Sequence, residues 1–279
     1  MNQLTVSHGI RPMSRLCHLI AMLTVSSSLL LSISPARLAA APVDEGNSVE
    51  AAIKRLKHLE TEYGLMIHYE YDRQRFFPAS WLRQPIAVRG GQVDTKELPR
   101  LAEVIEEFLS RYPKKVIRDD LKQVYLVSDL QFFGKSYGAT NSATGIYLRT
   151  GNARASFEDS FLLARLHSEF SSVLMRNHNF PKKDWAALNA PDFEYSGTGV
   201  EVLEQDGLYG QTKPLLERGF LVKYSQSSME NDFNMISDWL FTRPTELEQL
   251  CEKYKLLNAK RKLATEFYDS MGIAFEPSD

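Results

Sequence analysis

Glu169 lies in the stretch RLHSEFSSVL, residues 165–174, and its neighbours mark it as a residue that could do chemistry. A carboxylate on a helix can take a proton from a water acidified by a metal. The pattern that supplies the metal is His-Glu-x-x-His, in which two imidazoles four residues apart share one helical face. Ser168 and Ser172 stand where those imidazoles would be. A serine hydroxyl is a poor zinc ligand at neutral pH, so this pair does not rebuild the site. His167 cannot substitute, because at about 100° per residue it points roughly 200° away from Glu169. Three readings stay open: a general base that has outlived its metal ligands, a base served by unusual ligands such as His178 and Glu230 brought close by folding, or a solvated glutamate on a helix it favours.

Other chemistry finds less support. The stretch GKS at Gly134–Ser136 lacks the glycine five residues upstream that a phosphate-cradling loop requires, since Asp129 occupies it. GKSYG, Gly134–Gly138, has the letters of a Gly-x-Ser-x-Gly nucleophile elbow, but it falls in a connection between two strands and not at the strand-to-helix turn such an elbow needs, so a serine hydrolase finds little support. Cys251 has Leu247, Leu250 and Tyr254 at helical spacing and reads as a buried thiol. His68, on an apolar and aromatic strand, reads as a satisfied structural histidine. The run KYKLLNAKRK, residues 253–262, reads as the solvated face of a helix. A net charge of −2 favours no polyanion, so nucleic acid is not an expected partner.

The elements that must hold these residues are legible as periodicities. Val49, Ile53, Leu56 and Leu59 mark a helix with Ser48 as its N-cap and Gly64 as its stop. LMIHYEYD alternates as a strand, and the polar, aromatic stretch that follows to about Asp94 reads as a loop or small subdomain. Leu98, Leu101, Ile105, Phe108 and Leu109 form a helical stripe ended by Pro113. QVYLVSDLQF and GIYLRTG read as two strands joined by a Gly, Ser and Thr rich connection. A long helix then runs from an N-cap at Ser156 to Pro181, with Leu166, Phe170, Val173 and Leu174 on its apolar side. A largely helical remainder gives an α+β order: a small mixed sheet packed on a long central helix, with a mostly helical C-terminal part. With 43% hydrophobic residues over 279, the chain can build a real core.

The first 41 residues read as a signal peptide: Arg11 and Arg15 precede the apolar LCHLIAMLTVSSSLLLSI, and small residues follow at Ala39–Ala41. The apolar part is shorter than the roughly 20 residues of a bilayer span, so no stable membrane span is expected after cleavage. Cys17 falls inside this segment, which leaves Cys251 without an internal partner. The expectation is an exported protein, periplasmic or extracellular, with residues 42–279 as a single domain: an α/β part at 42–155 and a helical part at 156–279.

Strand GIYLRTG, helix LHSEFSSVL, then FPKKDWAALNAPDFEY, ERGFLVKYSQSSMENDFNMISDWLF and KRKLATEFYDSMG resemble the family of exported bacterial zinc-binding metallopeptidases related to gluzincins, over roughly residues 120–272. The resemblance implies a zincin-like fold, IYL as the strand lining a substrate cleft, and Trp185, Pro191, Phe193 and Tyr195 in the segment after the active helix. It carries Glu169 over as the general base and puts Asn231 at the third metal-ligand position, next to Glu230. Glu230 also completes a capping box with Ser227. The expectation is a zincin-like metallopeptidase homologue with a degenerate zinc site, no cofactor, and a peptide or protein partner added as a strand. The alternative is an active hydrolase with an atypical zinc site using Glu169.

Overall fold

The computed structural model describes residues 45–151, 157–197 and 207–275. The expected signal peptide and the Ser156 cap lie outside these residues. The described residues fall in one compact unit.

Helix α1 (Glu45–Tyr63) starts before Ser48, which lies inside it, and stops where Gly64 turns left-handed at φ 71°. Strand β1 (Met66–His68) follows, then α2 (Arg73–Phe76) and β2 (Arg89–Gly90) within the aromatic stretch. Helix α3 (Leu98–Ser110) buries the predicted stripe. Pro113 does more than stop it, since it caps a further helix, α4 (Lys114–Asp120). QVYLVSDLQF divides at Ser128–Asp129 into β3 (Gln123–Val127) and β4 (Leu130–Phe132). The connection read as loop contains β5 (Lys135–Ser136) and β6 (Ala139–Asn141) before β7 (Gly145–Arg149). The long helix is α5 (Asp159–Asn177), with Glu158 at its N-cap. Helices α6 (Lys182–Ala187), α7 (Lys213–Glu217), α8 (Met229–Thr242), α9 (Pro244–Lys253) and α10 (Lys255–Asp269) complete the helical part.

The fold is α+β, with two small sheets. The main one is mixed, in the order β1-β3-β7-β6: the first three strands are parallel, and β6 runs antiparallel at the edge. IYL is therefore an interior strand, flanked on both sides, and β6 is the edge beside α5. The second sheet is an antiparallel trio, β2-β4-β5.

Period-two alternation sorts the main sheet's side chains between two cores. Val124, Leu126, Ile146 and Leu148 join the main core with α1, α3 and α5. Tyr125, Val127 and Tyr147 face the opposite way, into a cluster with Phe76, Phe77, Val88 and Phe132. His68, Tyr125 and Tyr147 are in register across three strands and stack at 4.6 and 4.4 Å. His68 is held by this stacking rather than by satisfied hydrogen bonds, because its Nε2 is buried without a partner.

His167 lies on the far side of α5 from Glu169, as the helical angle requires. Its Nδ1 is 2.8 Å from the Tyr112 hydroxyl, and its ring stacks on Phe241 at 4.2 Å. Burial, helped by Arg111, pushes the imidazole down to about 3 from 6.5. The unfolded chain therefore takes up this proton first, and the contribution of neutral His167 is complete above pH 6.5 and lost as pH falls toward 3. Urea titrations across this window should show stability falling by up to about 1.4 kcal/mol per pH unit, and His167→Phe should flatten that slope. An identical slope in the variant would remove His167 as its source.

Candidate functional site

Glu169 faces the edge strand. Asn141, the last residue of β6, donates from Nδ2 to Glu169 Oε2 at 2.5 Å. Burial raises the carboxyl's pKa against the opposing pull of Asn141, Arg165 and Arg176, and the Glu230 carboxylate adds to the rise. Tyr224, whose phenol burial also pushes up, feels the Glu169 charge from the segment preceding α8, and the exposed Tyr209 packs on its ring at 5.5 Å.

Helix α8 runs antiparallel to α5, and three pairs fix the register. Arg165 meets Asp238 at 3.0 Å, Ser172 meets Asn234, and Arg176 meets Glu230 at 3.3 Å. Glu230, Asn234 and Asp238 are four apart and thus form one polar stripe along the helix face turned to α5. The amide of Asn234 is oriented by two carbonyls: its nitrogen donates to the backbone oxygens of Ser168 and Glu230 at 3.2 Å each, and its oxygen accepts from Ser172 Oγ at 2.7 Å. Asn234, not Asn231, is the α8 residue that meets the Ser168/Ser172 face. Asn231 is used at the helix start, where its N–H is capped by Ser228 and its Nδ2 donates to Ser227 Oγ at 2.8 Å. The N-cap is therefore Ser228, one residue later than expected, and Glu230 is free of any capping box. It spans instead to Arg176.

These residues do not fit a zinc ion. The donors are two hydroxyls and a neutral amide; Ser172 and the amide are already bonded to each other, and the amide also to two helix carbonyls. Two guanidiniums, Arg165 and Arg176, stand on the same helix. Zinc wants thiolate, imidazole or carboxylate donors in a tetrahedron. Nor does folding bring His178 to Glu169 and Glu230, since His178 caps the end of α5 and its Nε2 lies 2.9 Å from Asp120 Oδ2. Among the described residues no group of three or more His, Cys, Asp or Glu side chains could hold a metal. Cys251 is buried and unpaired, and burial pushes its thiol up to about 11, far from a reactive thiolate.

Arg176 ties the edge strand to this interface. Its Nη2 donates to Asn141 Oδ1 at 2.6 Å and to the Ser142 carbonyl at 2.9 Å, while Nη1 reaches Glu230. Sequence reasoning singled out Glu169 and did not anticipate its neighbours Asn141, Arg165 and Arg176 or the α8 residues Asn234 and Asp238. The four-residue spacing of Glu230, Asn234 and Asp238 was the available signal. The solvated-face reading of residues 253–262 also fails at one position, because Lys260 is wholly buried.

No protein-family model and no curated protein matches this sequence. A solved structure does. The crystal structure of a "putative zinc-binding metallo-peptidase" from Bacteroides caccae superposes with a TM-score of 0.56 at 16% identity, over 85% of this chain and 90% of that one. The chain thus shares its α+β fold with that protein.

Proposed function

We propose that this chain is an exported zincin-like peptidase homologue that binds an extended peptide segment along β6 and does not cleave it through zinc. The observation that carries the reading is the Ser172–Asn234 hydrogen bond, which occupies the α5/α8 face where a metal would need anionic or imidazole donors. The edge strand supports the peptide role. Gly138 and Ser142 spend their backbone groups on β7, so alternation directs those of Ala139 and Asn141 outward, where a further strand can pair. Export rests on the basic and apolar residues between Arg11 and Ala41.

The test joins metal analysis to amide exchange. Purified protein should carry well under one zinc per chain and leave casein intact. A tryptic digest of casein should slow exchange at residues 139–141. Zinc-dependent casein cleavage that disappears in Glu169→Gln would overturn the reading, and unprotected amides at β6 would remove its binding half.

A further inference from the structure

A second polar cluster, on the opposite side of α8 from the Glu169 interface, has no part in the proposed function. Asp232 on α8 and Lys260 on α10 meet with Nζ 2.7 Å from Oδ2, at side-chain exposures of 1% and 0%. The same oxygen accepts from Trp185 Nε1 and from the Tyr195 hydroxyl, each at 3.0 Å. Oδ1 is equally buried and has no partner among the described residues. Aromatic rings form the walls: Nζ lies 3.8 Å from the centre of the Phe220 ring and 5.8 Å from that of Trp185.

This arrangement is poor for an ion pair and good for another chemistry. A buried carboxylate is tolerated when both oxygens are satisfied, and here three donors crowd one oxygen while the other has none. Burial raises the Asp232 carboxyl and lowers the Lys260 amine, which drives the pair toward a neutral acid beside a neutral amine. An amine nitrogen 2.7 Å from a carboxyl oxygen, with water shut out, places the two partners of a condensation side by side.

We propose that Asp232 and Lys260 join as an intramolecular isopeptide amide. The Nζ lone pair attacks Cγ, and the carbonyl π pair moves onto Oδ2. There the Trp185 N–H and Tyr195 O–H stabilise the developing negative charge as an oxyanion hole does. The attack forms the Cγ–Nζ bond, and collapse, as the pair on Oδ2 returns to the carbonyl, breaks Cγ–Oδ1. Oδ1 leaves as water, carrying its own proton and one from Nζ, while Nζ keeps one hydrogen. Nothing is oxidised or reduced. The oxygen that leaves is the one no residue holds, and the oxygen that stays keeps its two donors as the amide carbonyl.

Intact-mass spectrometry of the full purified chain decides it. The expected result is a mass lower by that of one water, about 18 Da, with a tryptic cross-linked pair joining the Asp232 and Lys260 peptides. Lys260→Arg, which keeps a long basic side chain and removes the nucleophilic amine, should restore the full sequence mass. Trp185→Phe should slow the approach to the lighter mass by about a hundredfold. A folded native chain at its full sequence mass, cut by trypsin after Lys260, would overturn the proposal without any variant.

Discussion

The triple variant Ser168→His, Ser172→His and Asn234→Glu should bind about one equivalent of zinc, against an expected background level for the native chain. The register of α5 against α8 makes the three positions converge: Asn234 already touches Ser172 and the Ser168 carbonyl, so larger ligating side chains there would close on a common point. Overpacking works against it, since Ser168 and Ser172 are buried and enlarging such residues costs typically about 1–3 kcal/mol. The nearby guanidiniums of Arg165 and Arg176 will weaken cation binding further. Bound metal more than offsets this: at a free zinc concentration of 100 times Kd, linkage adds about 2.7 kcal/mol to folding. The readout is zinc content by mass spectrometry, together with a thermal midpoint that climbs with added zinc in the variant alone. A folded variant without zinc would show that these positions do not form one site.

The second large effect is on stability. Phe170→Ala should cost about 3–5 kcal/mol and lower the thermal midpoint by about 10 °C. The ring is completely buried and packs edge-on against Tyr112 at 4.8 Å and Phe108 at 5.9 Å, so truncation leaves a cavity among rigid aromatic neighbours that cannot collapse into it. It also joins α5 to α3 one residue beyond Glu169. Calorimetry of the pair of proteins checks it, and a shift of only a degree or two would mean that the site relaxes freely.

Legibility in the sequence followed the range of the interaction. The α5 stripe, the Gly64 stop and the alternation in QVYLV and GIYLR are local patterns, and each marks a real element. β5 and β6 escaped because strands of two or three residues offer too few alternations to be seen among glycines and serines, and β4 was read as a continuation of β3. The cap moved from Ser227 to Ser228 because both are serines and only backbone geometry distinguishes them. Asn234 and Lys260 were missed for a different reason: each gets its role from a partner on another helix, and spacing within one segment cannot report that. The stripe of Glu230, Asn234 and Asp238 was visible, but its meaning depended on knowing what α8 faces.

The brevity of β6 bears on how any complex at this edge would behave in time. Three residues, the last clamped by Arg176, offer an incoming strand only a short ladder, so backbone pairing can set orientation without supplying great affinity. Partners would then come and go quickly, with residence times governed by how well their side chains fit the flanking surface. The same short edge gives little purchase for copies of the chain to stack on one another into fibres.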